Sequence, residues 1–220
     1  ILLTADAIRA ALVACGRDVL EAGVATTPTV GVLVKSLQAA GAVQISASHN
    51  PPEYDGIKLF GADGRVIDAA EGGAVRDAYL ADDAAWASFD RQGQIRSIED
   101  PHAEHLRLVL QTVDVPAIRR RRFRVLLDSN HGAGGAAGRR LLESLGCELQ
   151  ILGETPDGLF EHVPEPTAEN LTTVAAQVAS SGVDVGFCQD PDADRLALID
   201  ETGRYVGEEY TLAVTLGHAL

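Results

Sequence analysis

The fold is decided by residues 124–152, which carry the sequence RVLLDSNHGAGGAAGRRLLESLGCELQIL. The apolar segment 124–127 predicts a buried strand, and the glycine-rich segment 128–135 predicts the turn that follows it. Residues 136–145 then predict a helix, and residues 148–152 predict a second strand. A strand, a helix and a strand in this order are typical of a βαβ unit with two parallel strands.

The same alternation continues toward the end of the chain. Residues 169–180 predict another helix and residues 184–188 another strand, and the sequence DPDADR follows at 190–195. Open α/β sheets bind ligands beyond the carboxyl ends of their strands. We therefore expect a ligand site at the acidic segment.

The first half of the chain predicts a second set of helices and strands. Thr27 is a candidate helix N-cap with Pro28 at the first helical position, and Gly41 is a candidate helix stop. The segment 61–64 predicts the turn of a hairpin. The predicted helices are 5–15, 28–40 and 101–113, and the predicted strands are 17–23, 42–46, 57–60 and 65–67.

The basic run Arg119–Arg122 follows Pro116 and suggests a linker. We place the domain boundary there, with one domain over residues 1–115 and a second over 116–220. The predicted fold class is α/β, with two consecutive domains whose mixed or parallel sheets are sandwiched by helices. The arginines could bind an acidic ligand, although a charged run at a linker is usually a solvated face.

Composition limits the function further. The 220 residues carry a net charge of -14, which argues against nucleic acid as the main partner. Hydrophobic residues make up 46% of the chain, as in a globular protein, and neither a membrane-spanning run nor a signal peptide is visible. The three cysteines form no disulfide framework or zinc spacing, which favours a cytoplasmic location.

Asp190, Asp192 and Asp194 are candidate ligands for a divalent cation. Hard cations prefer anionic oxygens, and carboxylates at alternate positions of a loop can surround one ion. An EF-hand uses the same spacing, but its sixth position is glycine and here it is Arg195. Since the flanking segments predict strands, a catalytic Mg²⁺ site is the better interpretation, with Arg195 as a phosphate or carboxylate partner.

Ser48 lies in the segment Ile45-Ser46-Ala47-Ser48-His49-Asn50-Pro51. A serine in a loop is usually structural, but Asn50 and two prolines, Pro51 and Pro52, predict a turn that presents the hydroxyl. His49 could orient or protonate a phosphate. Lys58 could neutralise a phosphate oxygen or shuttle a proton, and a solvated lysine at a strand end is an equally good interpretation.

The glycine-rich segment His131–Gly135 has two interpretations. It is similar to a turn that cradles a phosphate, but it lacks the spacing of a dinucleotide fingerprint or a Walker loop. A tight strand-to-helix turn with close backbone packing is the favoured interpretation.

Together these segments resemble the α-D-phosphohexomutases. The resemblance lies in the Ser-His-Asn-Pro loop with Gly56-Ile57-Lys58 downstream, and in the Asp-x-Asp-x-Asp-Arg loop. It extends over nearly the whole chain. Further matching segments are 23–29, 128–134, 164–166, 169–171 and 207–208.

The resemblance implies a magnesium enzyme that moves phosphate between the 1 and 6 positions of a hexose phosphate. Phosphorylated Ser48 would give its phosphoryl group to the sugar, a bisphosphate would form, and the other phosphate would return to Ser48. Asp190, Asp192 and Asp194 would hold Mg²⁺ together with an oxygen on Ser48.

The resemblance also implies that Lys58 is the general acid/base and that His49 and Arg195 position the phosphoryl group. The amino-acid sequences of segments 45–51 and 57–60 favour the bacterial phosphoglucosamine mutase branch. Phosphomannomutase and phosphoglucomutase remain alternatives, as does a non-catalytic metal-binding domain of the same fold. The expected partner is a hexose phosphate, with no nucleic acid and no membrane.

Two departures from the family are visible. Members have four domains, so we expect a truncated chain whose start is missing and which is incomplete as an enzyme by itself. Pro191 and Ala193 stand where glycine is common in the acidic loop, which keeps the carboxylates in place but stiffens the loop.

Overall fold

The computed structural model describes residues 2–50, 54–82 and 84–219. Its contacts divide the chain into two compact units. Unit 1 comprises Ile1–Gly23, Thr29–Ser46 and Asp55–Pro101, and unit 2 comprises Val24–Pro28, Ala47–Tyr54 and His102–Leu220. The units are sets of residues that contact one another more than they contact the rest of the chain. The domain boundary expected near residue 115 stays a prediction.

The first part of the chain forms short sheets and three helices. The parallel pair is β1–β4 and the antiparallel pair is β2–β3. The elements are α1 (Leu2–Ala14), β1 (Val19–Glu21), α2 (Thr27–Ser36), β2 (Gly41–Ile45), β3 (Ile57–Gly61), α3 (Ala69–Leu80), a 3-10 turn (Phe89–Arg91) and β4 (Ile95–Ser97).

The second part forms a four-stranded sheet in the order β6-β5-β7-β8. Strand β5 runs parallel to β6 and β7, and β8 is antiparallel to β7. The elements are α4 (Ala103–Leu110), α5 (Val115–Arg121), β5 (Arg124–Asp128), α6 (Gly135–Ser144), β6 (Glu148–Leu152), α7 (Thr172–Ser181), β7 (Val185–Gln189), β8 (Leu196–Asp200) and α8 (Glu208–Ala219).

Apolar side chains fill both faces of this sheet. Because successive strand residues point to opposite faces, Leu126 of β5 packs toward Val178 of α7, while Val125 and Leu127 pack with Leu142 of α6. Leu126 is fully buried. The sheet therefore lies between helices, and the predicted α/β class with parallel and mixed sheets is confirmed.

The predicted elements of the second half agree closely with the structure. Strand 148–152 is confirmed as predicted, and β5 is one residue longer than predicted. Helix α7 begins later than predicted, at Thr172, and ends before Gly182, whose φ of 70° suits glycine. The basic run is the end of helix α5, whose N-cap Asp114 accepts a hydrogen bond from the backbone of Ala117.

The first half needs more correction. Gly41 is not a helix stop, since α2 ends at Ser36 and Gly41 begins β2. A Cβ on Gly41 would lie 2.5 Å from the Phe60 carbonyl oxygen, so glycine is needed for the close approach of two strands. The predicted hairpin is confirmed at its turn, since the backbone N–H groups of Gly61 and Ile67 donate to the carbonyls of Arg65 and Leu59, and Phe60 bridges Val66. Strand β3 also pairs along its length with β2.

The remaining differences are in length and in elements that were not predicted. The strand at 17–23 and the helix at 101–113 are shorter than predicted. Helix α3 was not predicted, although Asp68 and Glu71 form a capping box at its start that the sequence displays. None of the described helices combines the length and the apolar character needed to cross a membrane.

The core of the four-stranded sheet gives a stability prediction. Leu126→Ala removes a fully buried side chain and leaves a cavity between β5 and α7, so we expect the free energy of unfolding to fall by about 3 kcal/mol in urea denaturation. Leu159→Ala is the control, because Leu159 is 73% exposed and its truncation should change the value by less than about 0.5 kcal/mol. Equal effects of the two substitutions would contradict this description of the core.

Candidate functional site

The acidic segment forms the loop between strands β7 and β8. Asp190 and Asp192 are buried, and Asp194 is exposed. One carboxylate oxygen from each of these residues lies within 4.8 Å of the others. The flanking elements are strands, so the EF-hand alternative does not apply here.

Asp190 closes this loop on itself. Its Oδ1 accepts hydrogen bonds from the backbone N–H groups of Asp194 (3.1 Å) and Arg195 (3.0 Å). Ala193, in the middle of the loop, has a φ of 53°. This left-handed conformation favours glycine, so an alanine here costs backbone energy that the surrounding hydrogen bonds must offset.

The electrostatics of the loop favour a bound cation. Burial raises the pKa of Asp190 to about 7. The negative charges of Asp192 and Asp194 also raise this pKa, and hydrogen bonding from the backbone of Arg195 lowers it. Three carboxylates this close repel one another, and a proton or a cation relieves the repulsion. The donor set is all-oxygen and anionic, which fits a hard divalent cation.

Ser48 lies beside this cluster. Its Oγ is 3.4 Å from Oδ1 of Asp192, to which it donates, and 3.3 Å from Nδ1 of His49. The turn is closed by Asn50, whose backbone N–H and side-chain amide both donate to the carbonyl of Ala47 (3.0 and 2.9 Å). Ser48 has a φ of 51°, an uncommon conformation for a non-glycine residue that is often found at functional sites.

Thr27 contacts the same aspartate from another segment. Its Oγ1 donates to Oδ2 of Asp192 at 2.6 Å, and its backbone N–H donates to the carbonyl of Asp192 at 2.9 Å. The sequence indicated only a helix start at Thr27. Spacing could not have revealed this contact, because the two residues are 165 positions apart.

Arg195 lies among three acidic side chains. Its Nε is 3.5 Å from Oδ2 of Asp190, and its Nη1 is 3.7 Å from Glu165 and 3.8 Å from Glu208. Its Nη2 is buried and has no hydrogen-bond partner among the described residues. The guanidinium is thus held next to the carboxylate cluster by charge, with one donor left over for a ligand.

The glycine-rich turn after β5 packs against the acidic loop. A Cβ on Gly132 would lie 2.5 Å from the carbonyl oxygen of Pro191, and the backbone N–H of Ala133 donates to that oxygen at 2.6 Å. The side chain of Ser129 donates to Gln189 at 3.2 Å. This geometry supports the interpretation of a tight turn with close backbone packing.

Two sequence-based expectations are not addressed by these contacts. Lys58 lies on β3 opposite Gln44 of β2, within unit 1, and its role beside Ser48 stays a prediction. The turn attributed to Pro51 and Pro52 falls outside the described residues. The structure does bring Ser48, His49, Asp190, Asp192, Asp194 and Arg195 together in unit 2.

Two family models match the chain at the regions that carry these loops. The model described as phosphoglucomutase/phosphomannomutase, alpha/beta/alpha domain I, matches residues 3–85. The model for domain II of the same family matches residues 102–203. This chain belongs to the phosphoglucomutase/phosphomannomutase family. The predicted resemblance is thereby confirmed.

Curated relatives in the family are similar over almost the whole chain. A phosphoglucomutase/phosphomannomutase of Thermococcus kodakarensis is 37% identical over 95% of this chain and 46% of its own length. A probable phosphoglucosamine mutase of Methanothermobacter thermautotrophicus is 35% identical over 96% of this chain and 46% of its own length. The chain therefore spans about half the length of the curated relatives it matches.

Solved structures of the family share the fold. A crystal structure of a candidate phosphomannomutase from Thermus thermophilus is 26% identical, with a TM-score of 0.81 over 98% of this chain and 51% of that chain. A phosphoglucomutase/phosphomannomutase family protein from Burkholderia thailandensis is 25% identical, with a TM-score of 0.76 over 92% of this chain and 44% of that chain.

A buried acid–histidine pair supports the glycine-rich turn of this family member. Nε2 of His162 lies 2.8 Å from Oδ2 of Asp128, the last residue of β5, and Nδ1 of His162 lies 2.9 Å from the carbonyl oxygen of Val163. Nε2 thus faces an acceptor, whereas Nδ1 lies between an acceptor, the Val163 carbonyl, and a donor, the Asn130 side-chain amide at 3.4 Å. Burial lowers the pKa of His162, but the hydrogen bonds to Asp128 and Val163, with the charges of Asp128 and Glu161, raise it overall above its usual range.

This pair gives a pH prediction. Because the pKa of His162 is raised on folding, its contribution to stability is complete below about pH 6.5 and is lost as pH rises through the folded-state pKa. We expect His162→Gln to lower the free energy of unfolding by about 3 kcal/mol at pH 6, and by less at pH 9, in urea denaturation.

The quantity to compare is the difference in the free energy of unfolding between wild type and variant at each pH. The titration of the other groups is the same in both proteins and cancels in this difference. Asp128→Asn should remove the same pH-dependent part, because it removes the charge that the imidazolium faces. A wild-type-minus-variant difference that is constant from pH 6 to pH 9 would contradict the charged pair.

Proposed function

We propose that this chain supplies the phosphoserine and metal-binding portion of a phosphohexomutase. The proposed reaction interconverts hexose 6-phosphate and hexose 1-phosphate through a phosphoserine on Ser48 and a hexose bisphosphate. The main support for this proposal is one contact: the Oγ of Ser48 lies 3.4 Å from Asp192, and Asp192 is one of three clustered carboxylates. A hydroxyl beside a divalent-cation site is the arrangement that phosphoryl transfer needs, since catalysis there is mostly positioning and charge neutralisation.

Asp190, Asp192 and Asp194 are the proposed ligands of Mg²⁺, with an oxygen on Ser48 as a further ligand. When bound, the ion would neutralise the charge that develops on the phosphoryl oxygens. The raised pKa of Asp190 is consistent with this assignment, because burial and the neighbouring carboxylates disfavour its charged form and a bound cation would favour it.

The protein's own residues have separate proposed roles. Phosphoserine 48 loses its phosphoryl group as the Oγ–phosphorus bond breaks and a sugar oxygen bonds to phosphorus, while the sugar hydroxyl proton passes to Lys58. The bisphosphate then presents its other phosphate, whose phosphoryl group returns to the Oγ of Ser48. The sugar oxygen left behind takes the proton back from Lys58, so the net reaction is an isomerisation.

His49 and Arg195 are proposed to orient the phosphoryl group. His49 Nδ1 is 3.3 Å from the Oγ of Ser48, within reach of a group attached to that oxygen. Arg195 has a buried donor, Nη2, that no described residue uses, and a guanidinium is well suited to bind phosphate oxygens.

The proposed substrate is a hexose phosphate, and the amino-acid sequence of the Ser48 loop favours glucosamine phosphate. Mannose and glucose phosphates are the alternatives, and the names of the relatives divide between these sugars. A cytoplasmic location follows from the metabolic substrate and belongs to the proposal. Mutase rates with the three sugar phosphates, measured on the natural protein that contains this chain, would identify the sugar.

Covalent phosphate on Ser48 is the first test. The natural protein is incubated with Mg²⁺ and glucose 1,6-bisphosphate, and its mass is measured intact. We expect one added phosphoryl group in the wild type and in Ser46→Ala, a matched serine in the same loop, and none in Ser48→Ala. Phosphate retained by Ser48→Ala would place the phosphoryl group on another residue, and no phosphate in the wild type would favour the non-catalytic metal-binding alternative.

Cation binding is the second test. Asp192→Ala removes a buried carboxylate of the cluster, so we expect the Mg²⁺ affinity measured by calorimetry to fall by more than about 100-fold. The control is Asp77→Ala, which removes an exposed aspartate on helix α3 and should leave the affinity unchanged. An unchanged affinity in Asp192→Ala would place the cation elsewhere.

A further inference from the structure

Thr27 contacts the acidic cluster but has no role in the proposed reaction. It reaches Asp192 twice, through its hydroxyl and through its backbone N–H. Asp192 is 2% exposed, so water cannot easily replace either bond. At 2.6 Å the hydroxyl contact has the length of a charge-assisted hydrogen bond between a hydroxyl and a carboxylate.

The two oxygens of Asp192 are used differently. Oδ2 accepts from Thr27, and Oδ1 faces the hydroxyl of Ser48 at 3.4 Å. A carboxylate can rotate about its last side-chain bond, and a donor fixed to one oxygen restrains that rotation. The Thr27 hydroxyl therefore fixes the plane of the Asp192 carboxylate, and with it the direction in which the other oxygen faces Ser48.

The sequence around Thr27 makes it a rigid donor. Its β-branched side chain has few χ1 rotamers, and Thr27 is the first residue of helix α2. Thr26 and Thr29 on either side are 3% and 0% exposed, so the segment is anchored in the protein. A rigid donor fixes a carboxylate with less loss of entropy than a flexible one.

We propose that Thr27 is a positioning residue that orients the carboxylate of Asp192 for the divalent cation and for the phosphate on Ser48. This inference rests on the proposed function, because it assumes a cation at the cluster. Thr27 touches no reacting atom. It acts through Asp192, as partners behind metal ligands commonly do.

The test compares Thr27→Val, which keeps the shape and removes the hydroxyl, with Thr27→Ser, which keeps the hydroxyl. Calorimetric titration with Mg²⁺, and separately with Mn²⁺, gives the affinity of each variant. We expect about a tenfold loss for Thr27→Val and wild-type affinity within about twofold for Thr27→Ser.

A second measurement separates positioning from structural support. A cation stabilises the folded protein in proportion to the logarithm of its concentration over Kd, so the shift of the urea midpoint on adding Mg²⁺ reports on the site alone. The shift should be smaller in Thr27→Val than in wild type and Thr27→Ser. A purely structural role would lower the midpoint equally with and without Mg²⁺.

Equal Mg²⁺ affinities of Thr27→Val and wild type would overturn the inference, and so would equal losses in Thr27→Val and Thr27→Ser. The proposed function is judged apart from this, by phosphate on Ser48 in the wild type. If the wild type takes up phosphate while Thr27→Val keeps full affinity, only the role of Thr27 is wrong. If the wild type binds neither Mg²⁺ nor Mn²⁺, both ideas are wrong.

Discussion

Mutual repulsion among Asp190, Asp192 and Asp194 is the constraint on which the rest of the site depends. Their carboxylate oxygens lie within 4.8 Å of one another, and two of the three residues are buried. Like charges this close and this dry cannot all ionise without a positive partner. Arg195 places one positive charge beside Asp190, backbone N–H groups hold Asp190, and Thr27 holds Asp192.

The sheet of unit 2 provides the rigid base for this arrangement. Strand β7 ends one residue before Asp190, and β5 beside it ends at Asp128, so both acidic positions come to the same edge. Gly132 allows the turn after β5 to approach the backbone of Pro191 closely. The pair of Asp128 and His162 fixes the other side of that turn. A buried core on both sheet faces keeps this edge in place.

Four of the seven non-glycine residues with positive φ in the described part of the chain lie near this edge. Ser48, Asn130, His131 and Ala193 all have φ values between 43° and 60°. Non-glycine residues adopt this region at a cost of roughly 1–3 kcal/mol each, and such residues cluster at sites where geometry matters more than stability. Asparagine and histidine tolerate the left-handed region best, and Ala193 stands where glycine is common in the family, whereas Ser48 gave no sign of this conformation in the sequence.

The α/β class, the parallel strands of the second half and the identity of the Ser48 and Asp190–Arg195 loops could all be predicted from the amino-acid sequence. These depend on local periodicity, turn residues and charge spacing, which a short window contains. The family resemblance implied that Ser48 meets the aspartates. The contacts of Thr27 with Asp192 and of His162 with Asp128, and the place of Gly41 in a strand, became visible only in the folded structure. Contacts between residues far apart in the chain depend on how packed elements bring distant segments together, and no local pattern records that.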